Sequence, residues 1–220
     1  MMSEKAFLFD MDGTLVDAFA AYEAAFGEAF KSVGRVYKKG MLDALYGRVD
    51  KEILRIMLKK DRVDDEVERL VELKRRHYLK IAHDAVKILP CAVEVIKILK
   101  DKNIKVAIAT SGQRSATEIA VDKLGIRGAV DGVITGTEVK RGKPDPELFV
   151  KAAEMMNVLP NQCIVVEDSL HGIEAGKRAG MMTVAVGTGK ISGEELKKAR
   201  PDVVVDNLCE LIPMIDGMVN

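Results

Sequence analysis

Neither sign of charge predominates in this chain. Lys+Arg and Asp+Glu each total 34 in 220 residues, giving a formal charge of zero. That removes the electrostatic ground for expecting a nucleic acid or a membrane surface as partner. No apolar run approaches the length needed to span a bilayer. The opening stretch MMSEKAFLFD holds too short an apolar segment before a charge to read as a secretory leader. Cysteine is scarce. Cys91, Cys163 and Cys209 lie far apart, match no zinc spacing and leave one over from any disulfide. Cys163 opens an apolar run and reads as core. The histidines, His77, His83 and His171, show no ligand spacing and read as structural. Internal repeats and low-complexity tracts are missing as well. Together these absences predict a protein of the reducing cytoplasm.

What is present is an ordinary globular composition, 48% hydrophobic and 31% charged. The length is ample for a real core and predicts one domain, or one domain with a small insertion. Short apolar runs at Ala6–Phe9, Lys105–Thr110, 133–134, 163–166, 183–186 and Val203–Val205 read as strands. Helical segments fall at 90–102, 115–124, 146–156, 170–179 and 210–218, with Pro90 and Pro146 suited to first turns. This alternation, with near-continuous apolar strands, predicts an α/β fold with a doubly wound parallel sheet covered on both faces. Residues 17–86 are the exception and contain no convincing strand. Phe19, Tyr22, Phe26, Phe30 and Val33 recur at helical spacing. Ile53, Leu54, Met57 and Leu58 suggest a second helix, and Val67, Leu70, Val71, Tyr78 and Ile81 a third. Inserted directly after the first strand, this block is either mere packing or a lid over whatever site that strand carries.

The most informative stretch is FLFDMDGTL, residues 7–15. A buried strand ends abruptly in two carboxylates, Asp10 and Asp12. Ligands bind at the carboxyl ends of strands in parallel α/β sheets, and a divalent cation or a shared proton relieves the repulsion of paired carboxylates. A solvated acidic turn is the plain alternative. An EF-hand starting at Asp10 needs Gly and Glu where the chain has Leu15 and Ala21. GTEVKRGK, residues 136–143, is no P-loop: five residues separate its glycines, and Pro144 replaces the required hydroxyl.

Other strand ends carry complementary groups. Ser111 and Gly112 offer a hydroxyl and backbone N–H groups to an anion, or Ser111 merely caps a helix. Lys143, between Gly142 and Pro144, is a fixed point charge for phosphate or a solvated lysine. Glu167 and Asp168 follow a buried strand and mirror the first pair, although Asp168 alone suits a helix cap. Taken together, two carboxylate pairs, a hydroxyl and a lysine suit Mg²⁺ and phosphoryl transfer.

At these residues the chain resembles the haloacid dehalogenase-like hydrolase superfamily, in the branch with a small helical cap. DMDGT matches its first motif, ATS (109–111) its second, Lys143 in GKPDPELF its third, and EDS (167–169) followed by GIEAGKRAGM its fourth. The resemblance implies a core domain of residues 1–16 and 87–220 and a cap of 17–86. It implies Asp10 as nucleophile forming an aspartyl-phosphate, and Asp12 as general acid and then base. Mg²⁺ would be held by the Asp10 carboxylate, the Asp12 carbonyl and Asp168, with Glu167 a direct or water-mediated neighbour. Ser111 and the Gly112 N–H would hold the phosphoryl group, and Lys143 would balance charge.

The expected partner is a small phosphorylated metabolite, phosphoglycolate or a sugar phosphate, with no nucleic acid and no membrane. A monomer or weak homodimer is expected. Metal-free dehalogenases and phosphonatases replace the second aspartate, which Asp12 retains. The β-phosphoglucomutase branch, close in its fourth motif, usually carries a His early in the cap where this chain has Tyr22. A phospho-accepting response-regulator receiver, a module without turnover, lacks both the cap and the second acid. Arg48, after Gly47 in a cap turn, either reaches a substrate anion or is a surface arginine.

Overall fold

The computed structural model describes residues 5–43 and 45–219. Residues 1–4, on which the leader reading partly rested, lie outside the described residues.

Strand β1 (Ala6–Phe9) is buried along its whole length. It lies between β4 (Lys105–Thr110) and β6 (Cys163–Glu167), with Phe9 opposite Ile108 on one side and Val166 on the other. Its side chains divide between two cores. Phe7 and Phe9 pack with Ile108 and Val166 on one face, Ala6 and Leu8 with Ala107, Val165 and Phe149 on the other. A strand buried on both faces must read as continuously apolar, which is why this run is so conspicuous. With β5 (Gly132–Thr135), β7 (Met182–Val186) and β8 (Val203–Val205), the all-parallel sheet runs β5-β4-β1-β6-β7-β8. The expected parallel α/β sheet is the fold observed.

The inserted block supplies helices α1 (Phe19–Ser32), α2 (Asp50–Met57) and α3 (Asp65–Ala85). Buried Tyr22, Phe26 and Phe30 of α1 join Leu70 and Tyr78 of α3 in one core. Asp64 caps α3, accepting a 3.0 Å hydrogen bond from the Val67 N–H. One feature went unforeseen. β2 (Val16–Asp17) pairs antiparallel with β3 (Lys87–Ile88), bracing the two crossings between block and sheet. Two-residue strands are too short for alternation to register.

The remaining helices are α4 (Ala92–Asp101), α5 (Arg114–Leu124), α6 (Glu147–Met155), α7 (Leu170–Arg178), α8 (Gly193–Leu196), α9 (Leu208–Leu211) and α10 (Ile215–Val219). Two details differ from expectation. Pro146 is the residue before α6, and Pro90 lies outside α4, so neither occupies a first turn. The segment expected as one helix at 210–218 is broken by a 3₁₀ turn at Ile212–Met214, where Pro213 supplies no N–H.

The cysteines also depart from the reducing picture. Cys91, just ahead of α4, is disulfide-bonded to Cys209 in α9, 118 residues away, with Cα atoms 5.2 Å apart. Packing of α9 on α4 brings them together, a tertiary fact that spacing alone does not carry. Cys163 is free and buried, as expected of core. Among the described residues no helix is long and apolar enough to cross a membrane.

Candidate active site

The sheet delivers its polar residues to one edge. The chain stays on the sheet for one residue beyond β1, because the Asp10 N–H donates to the Val166 carbonyl at 2.9 Å. It then turns tightly, with Gly13 at φ +94°. A side chain is excluded at Gly13 twice over: the backbone is left-handed, and a Cβ there would stand 2.0 Å from Oδ2 of Asp168. Gly189 approaches the same oxygen, and a Cβ there would stand 1.8 Å away. The Asp168 carboxylate thus sits in a glycine cradle, touched by the Thr14 hydroxyl at 3.5 Å. It caps no helix. Ser169 does that for α7, accepting from the Gly172 N–H at 3.0 Å.

Lys143 is wholly buried. Its Nζ donates to Oδ1 of Asp10 at 2.5 Å, to Oε1 of Glu167 and to the Ala109 carbonyl at 3.3 Å. The solvated-lysine alternative is therefore excluded. Burial works against the Lys143 charge, yet the two carboxylates outweigh it and hold the ammonium above its ordinary range. The second oxygen of Glu167 accepts from both the N–H and the hydroxyl of Ser169, each at 2.8 Å. Both Glu167 oxygens are thus committed to protein donors, which makes this residue the anchor of Lys143.

Burial pushes the Asp10 carboxyl up to about 8; Lys143 pulls it back only in part, and Glu167 adds repulsion. Burial also raises Asp168 well above the carboxylate range, reinforced by the charges of Glu167 and Asp10. Asp12 is pushed up to about 6, again by burial, against the pull of the Lys74 charge and a 3.3 Å hydrogen bond from the Tyr22 hydroxyl.

Ser111 is not the cap of α5, a place taken by Gln113. Its Oγ is buried with no partner among the described residues. A buried unpartnered hydroxyl is costly, and a ligand or water oxygen would relieve that cost. The Gly112 N–H, by contrast, already donates to the Thr110 hydroxyl at 3.0 Å. Asp10, Asp12, Ser111, Gly112 and Arg48 all line one pocket of about 20 Å³, closed over by residues of the helical block. Arg48 is therefore no outward-facing surface residue, although its guanidinium pairs with Glu52.

Several pocket residues escaped the sequence reading. Tyr46 and Asp50 line it from the block side. Buried Lys74 holds both Asp50 oxygens at 3.0 and 3.1 Å and lies 3.7 Å from the centre of the Tyr22 ring. Gln113, the cap of α5, reaches across to Asp50 at 3.1 Å. Lys74 sits among many Lys, Arg and Glu residues on α3, and nothing in that pattern separates a buried lysine from its solvated neighbours.

Four acids, Asp10, Asp12, Glu167 and Asp168, gather around a single dedicated cation, Lys143. Burial is the main cause of the raised Asp10 and Asp168, and the neighbouring carboxylates add to it. Among the described residues no three His, Cys, Asp or Glu side chains form a ready metal cage.

Residues 7–186 match the family model described as haloacid dehalogenase-like hydrolase. The chain belongs to that family. It is 33% identical over 178 residues to a phosphorylated carbohydrates phosphatase of Thermotoga maritima, covering 80% of this chain and 82% of the relative. A hydrolase of Pseudomonas syringae superposes with a TM-score of 0.88 at 28% identity, covering 97% of this chain and 99% of that one. A β-phosphoglucomutase of Clostridium difficile gives a TM-score of 0.84 at 29% identity, covering 99% and 97%. The chain is accordingly an enzyme, a phosphoric monoester hydrolase with a helical cap on a Rossmann-like core. The non-enzymatic receiver reading falls away.

Proposed function

We propose that this protein is a Mg²⁺-dependent phosphatase of small phosphomonoesters, a sugar phosphate or phosphoglycolate, working through an aspartyl-phosphate. The observation that carries the proposal is Ser111 Oγ, buried and unpartnered in the pocket that Asp10 and Asp12 also line. A phosphoryl oxygen would supply the partner that this hydroxyl lacks.

The fit to Mg²⁺ rests on the surplus acid charge and on the donors available: the Asp10 carboxylate, the Asp12 carbonyl and Asp168, with Glu167 acting through Lys143. When bound, the ion would neutralise charge on the transferring phosphoryl group. The chain's own residues do the rest. The Asp10 carboxylate oxygen attacks phosphorus. The bond from phosphorus to the ester oxygen breaks, and that oxygen takes the proton of Asp12. Water then attacks the same phosphorus, Asp12 takes back a proton, and the bond to Asp10 breaks to release inorganic phosphate. The Ser111 hydroxyl holds a phosphoryl oxygen. Lys143 offsets charge that Asp10 shares with the incoming phosphate.

A pocket of about 20 Å³ holds no phosphomonoester. We therefore assign residues 17–86 as a cap that opens for entry and closes for chemistry, on a core of 1–16 and 87–220. Likeness to β-phosphoglucomutase favours one second reading, a phosphosugar mutase, against which stands Tyr22 hydrogen-bonded to Asp12. A cytoplasmic monomer or weak dimer completes the reading. The Cys91–Cys209 bond would then be one of the intracellular disulfides that are uncommon outside hyperthermophiles.

The test is release of inorganic phosphate by the purified protein with Mg²⁺, from p-nitrophenyl phosphate and a panel of metabolite phosphates. Turnover absent in Asp10→Asn is expected. No release above that variant's background overturns the proposal. Conversion of β-glucose 1-phosphate to glucose 6-phosphate, faster than phosphate release, would favour the mutase.

A further inference from the structure

The core wall of the pocket accounts for the phosphoryl group; the cap wall faces whatever the phosphate is attached to. Two polar atoms there, the Tyr46 hydroxyl and Arg48 Nε, are buried without a partner among the described residues. Both are hydrogen-bond donors. Unpartnered donors buried in a pocket call for acceptor atoms on the occupant.

The charges of the cap wall narrow the kind of acceptor. Arg48 is already matched by Glu52, and Lys74 by Asp50 at 3.0 and 3.1 Å. Gln113 adds a third hydrogen bond to Asp50 at 3.1 Å. No cation among the described cap residues lining this pocket is left without its own carboxylate. A second anionic group on the substrate would lose its water beside Asp50 and Asp12 and find no free positive charge. Neutral hydroxyl oxygens would satisfy Tyr46 and Arg48 at no such penalty. Tyr22 and Tyr46, edge to face at 5.9 Å, and Ile53 supply apolar surface for the C–H faces of a polyol.

We infer that Tyr46 and Arg48 select a neutral hydroxylated leaving group, the monophosphate of a polyol or sugar, and that the Asp50–Lys74 pair excludes substrates carrying a second anion. The inference rests on the phosphatase reading above and chooses between the two substrate classes left open there.

The experiment measures kcat/KM with Mg²⁺ on glycerol 1-phosphate, sorbitol 6-phosphate, glucose 6-phosphate, phosphoglycolate, fructose 1,6-bisphosphate and p-nitrophenyl phosphate. The best neutral polyol or sugar monophosphate should exceed phosphoglycolate and the bisphosphate by about tenfold or more. Tyr46→Phe should lower the ratio of that substrate to p-nitrophenyl phosphate by about fivefold or more. Asp50→Asn, which leaves Lys74 partly uncompensated, should raise phosphoglycolate relative to p-nitrophenyl phosphate. Should Asp50→Asn fail to fold by circular dichroism, the wild-type panel and Tyr46→Phe decide alone. Phosphoglycolate or the bisphosphate equal to the best monophosphate overturns the inference, as does equal loss on both substrates in Tyr46→Phe. No turnover of any phosphomonoester overturns the phosphatase reading itself.

Discussion

The Tyr22 hydroxyl, on the first helix of the cap, donates a 3.3 Å hydrogen bond to Oδ2 of Asp12, on the loop that follows the central strand. The cap therefore touches the residue proposed to shuttle the proton. Lys74 adds a second influence, since its charge also pulls on Asp12. Burial under the cap pushes the Asp12 proton on; these two cap residues push it off. On the proposed opening of the cap, Asp12 would lose its burial and both of these contacts and return toward an ordinary aspartate.

Tyr22→Phe removes the hydrogen bond and keeps the ring under Lys74. A donor to a carboxylate favours the charged form, so its loss raises the Asp12 pKa further. A general acid with a higher pKa keeps its proton to higher pH, so the basic limb of the pH–rate profile should move up, by roughly one unit at most. The profile of kcat/KM on p-nitrophenyl phosphate measures this. A shift to lower pH would contradict the role given to Tyr22.

Asp10→Asn should abolish turnover, because an amide cannot attack phosphorus as a carboxylate does. The fold should survive. Lys143 keeps Glu167 as partner, and the change removes a charge that burial already disfavours. Thermal unfolding of the metal-free variant should therefore lie at or above that of wild type. Turnover within about tenfold of wild type would remove Asp10 as nucleophile.

Much of this site could be read from the chain because each motif follows a strand buried on both faces, where polar residues stand out against an apolar run. Asp10, Ser111, Glu167 and Asp168 were found that way, and Lys143 through its rigid turn. The cap offered no such contrast. Asp50 begins one amphipathic helix and Lys74 lies within another, and each looks like an ordinary charge on a solvated face. Their burial depends on how α1, α2 and α3 pack and on Gln113 of the core, which are long-range facts. The Cys91–Cys209 bond was hidden for the same reason, and the β2–β3 pair because its two-residue strands are too short to show alternation. The Gly112 N–H was expected to be free; the Thr110 hydroxyl two residues back takes it, a local bond that hydropathy patterning does not report.

Divalent cation should stabilise the protein, increasingly so as pH rises. In the metal-free fold Asp12 is raised from 3.8 to about 6 and Asp10 from 3.8 to about 8. The folded state then holds protons that the unfolded chain has released, so metal-free stability should fall as pH climbs from roughly 4 to 8. A bound cation favours the deprotonated carboxylates and reverses that trend. At a hundred times its dissociation constant it contributes about 2.7 kcal/mol. Thermal unfolding with and without Mg²⁺ at pH 5.5 and pH 8 reads the effect without any assay of activity. A Mg²⁺ shift no larger at pH 8 than at pH 5.5 would count against these carboxylates as the binding site. Activity should vanish in excess EDTA.

The Cys91–Cys209 bond closes a loop of 118 residues. Neither cysteine lines the catalytic pocket. In the chain-entropy account a crosslink of this span restricts the unfolded chain by about 4–5 kcal/mol, an upper estimate because residual structure in the unfolded state reduces it. Reduction should therefore lower the free energy of unfolding by up to about that amount, read as a fall in the urea midpoint with little change in slope. Rates on p-nitrophenyl phosphate at 25 °C should change little while the protein stays folded. Thiol titration in denaturant supplies the direct count. Of the three cysteines only Cys163 should react without reductant, and all three should react with it. Three reactive thiols in freshly purified, unreduced protein would mean that the bond does not form in solution, and with it the expected loss of stability on reduction would disappear.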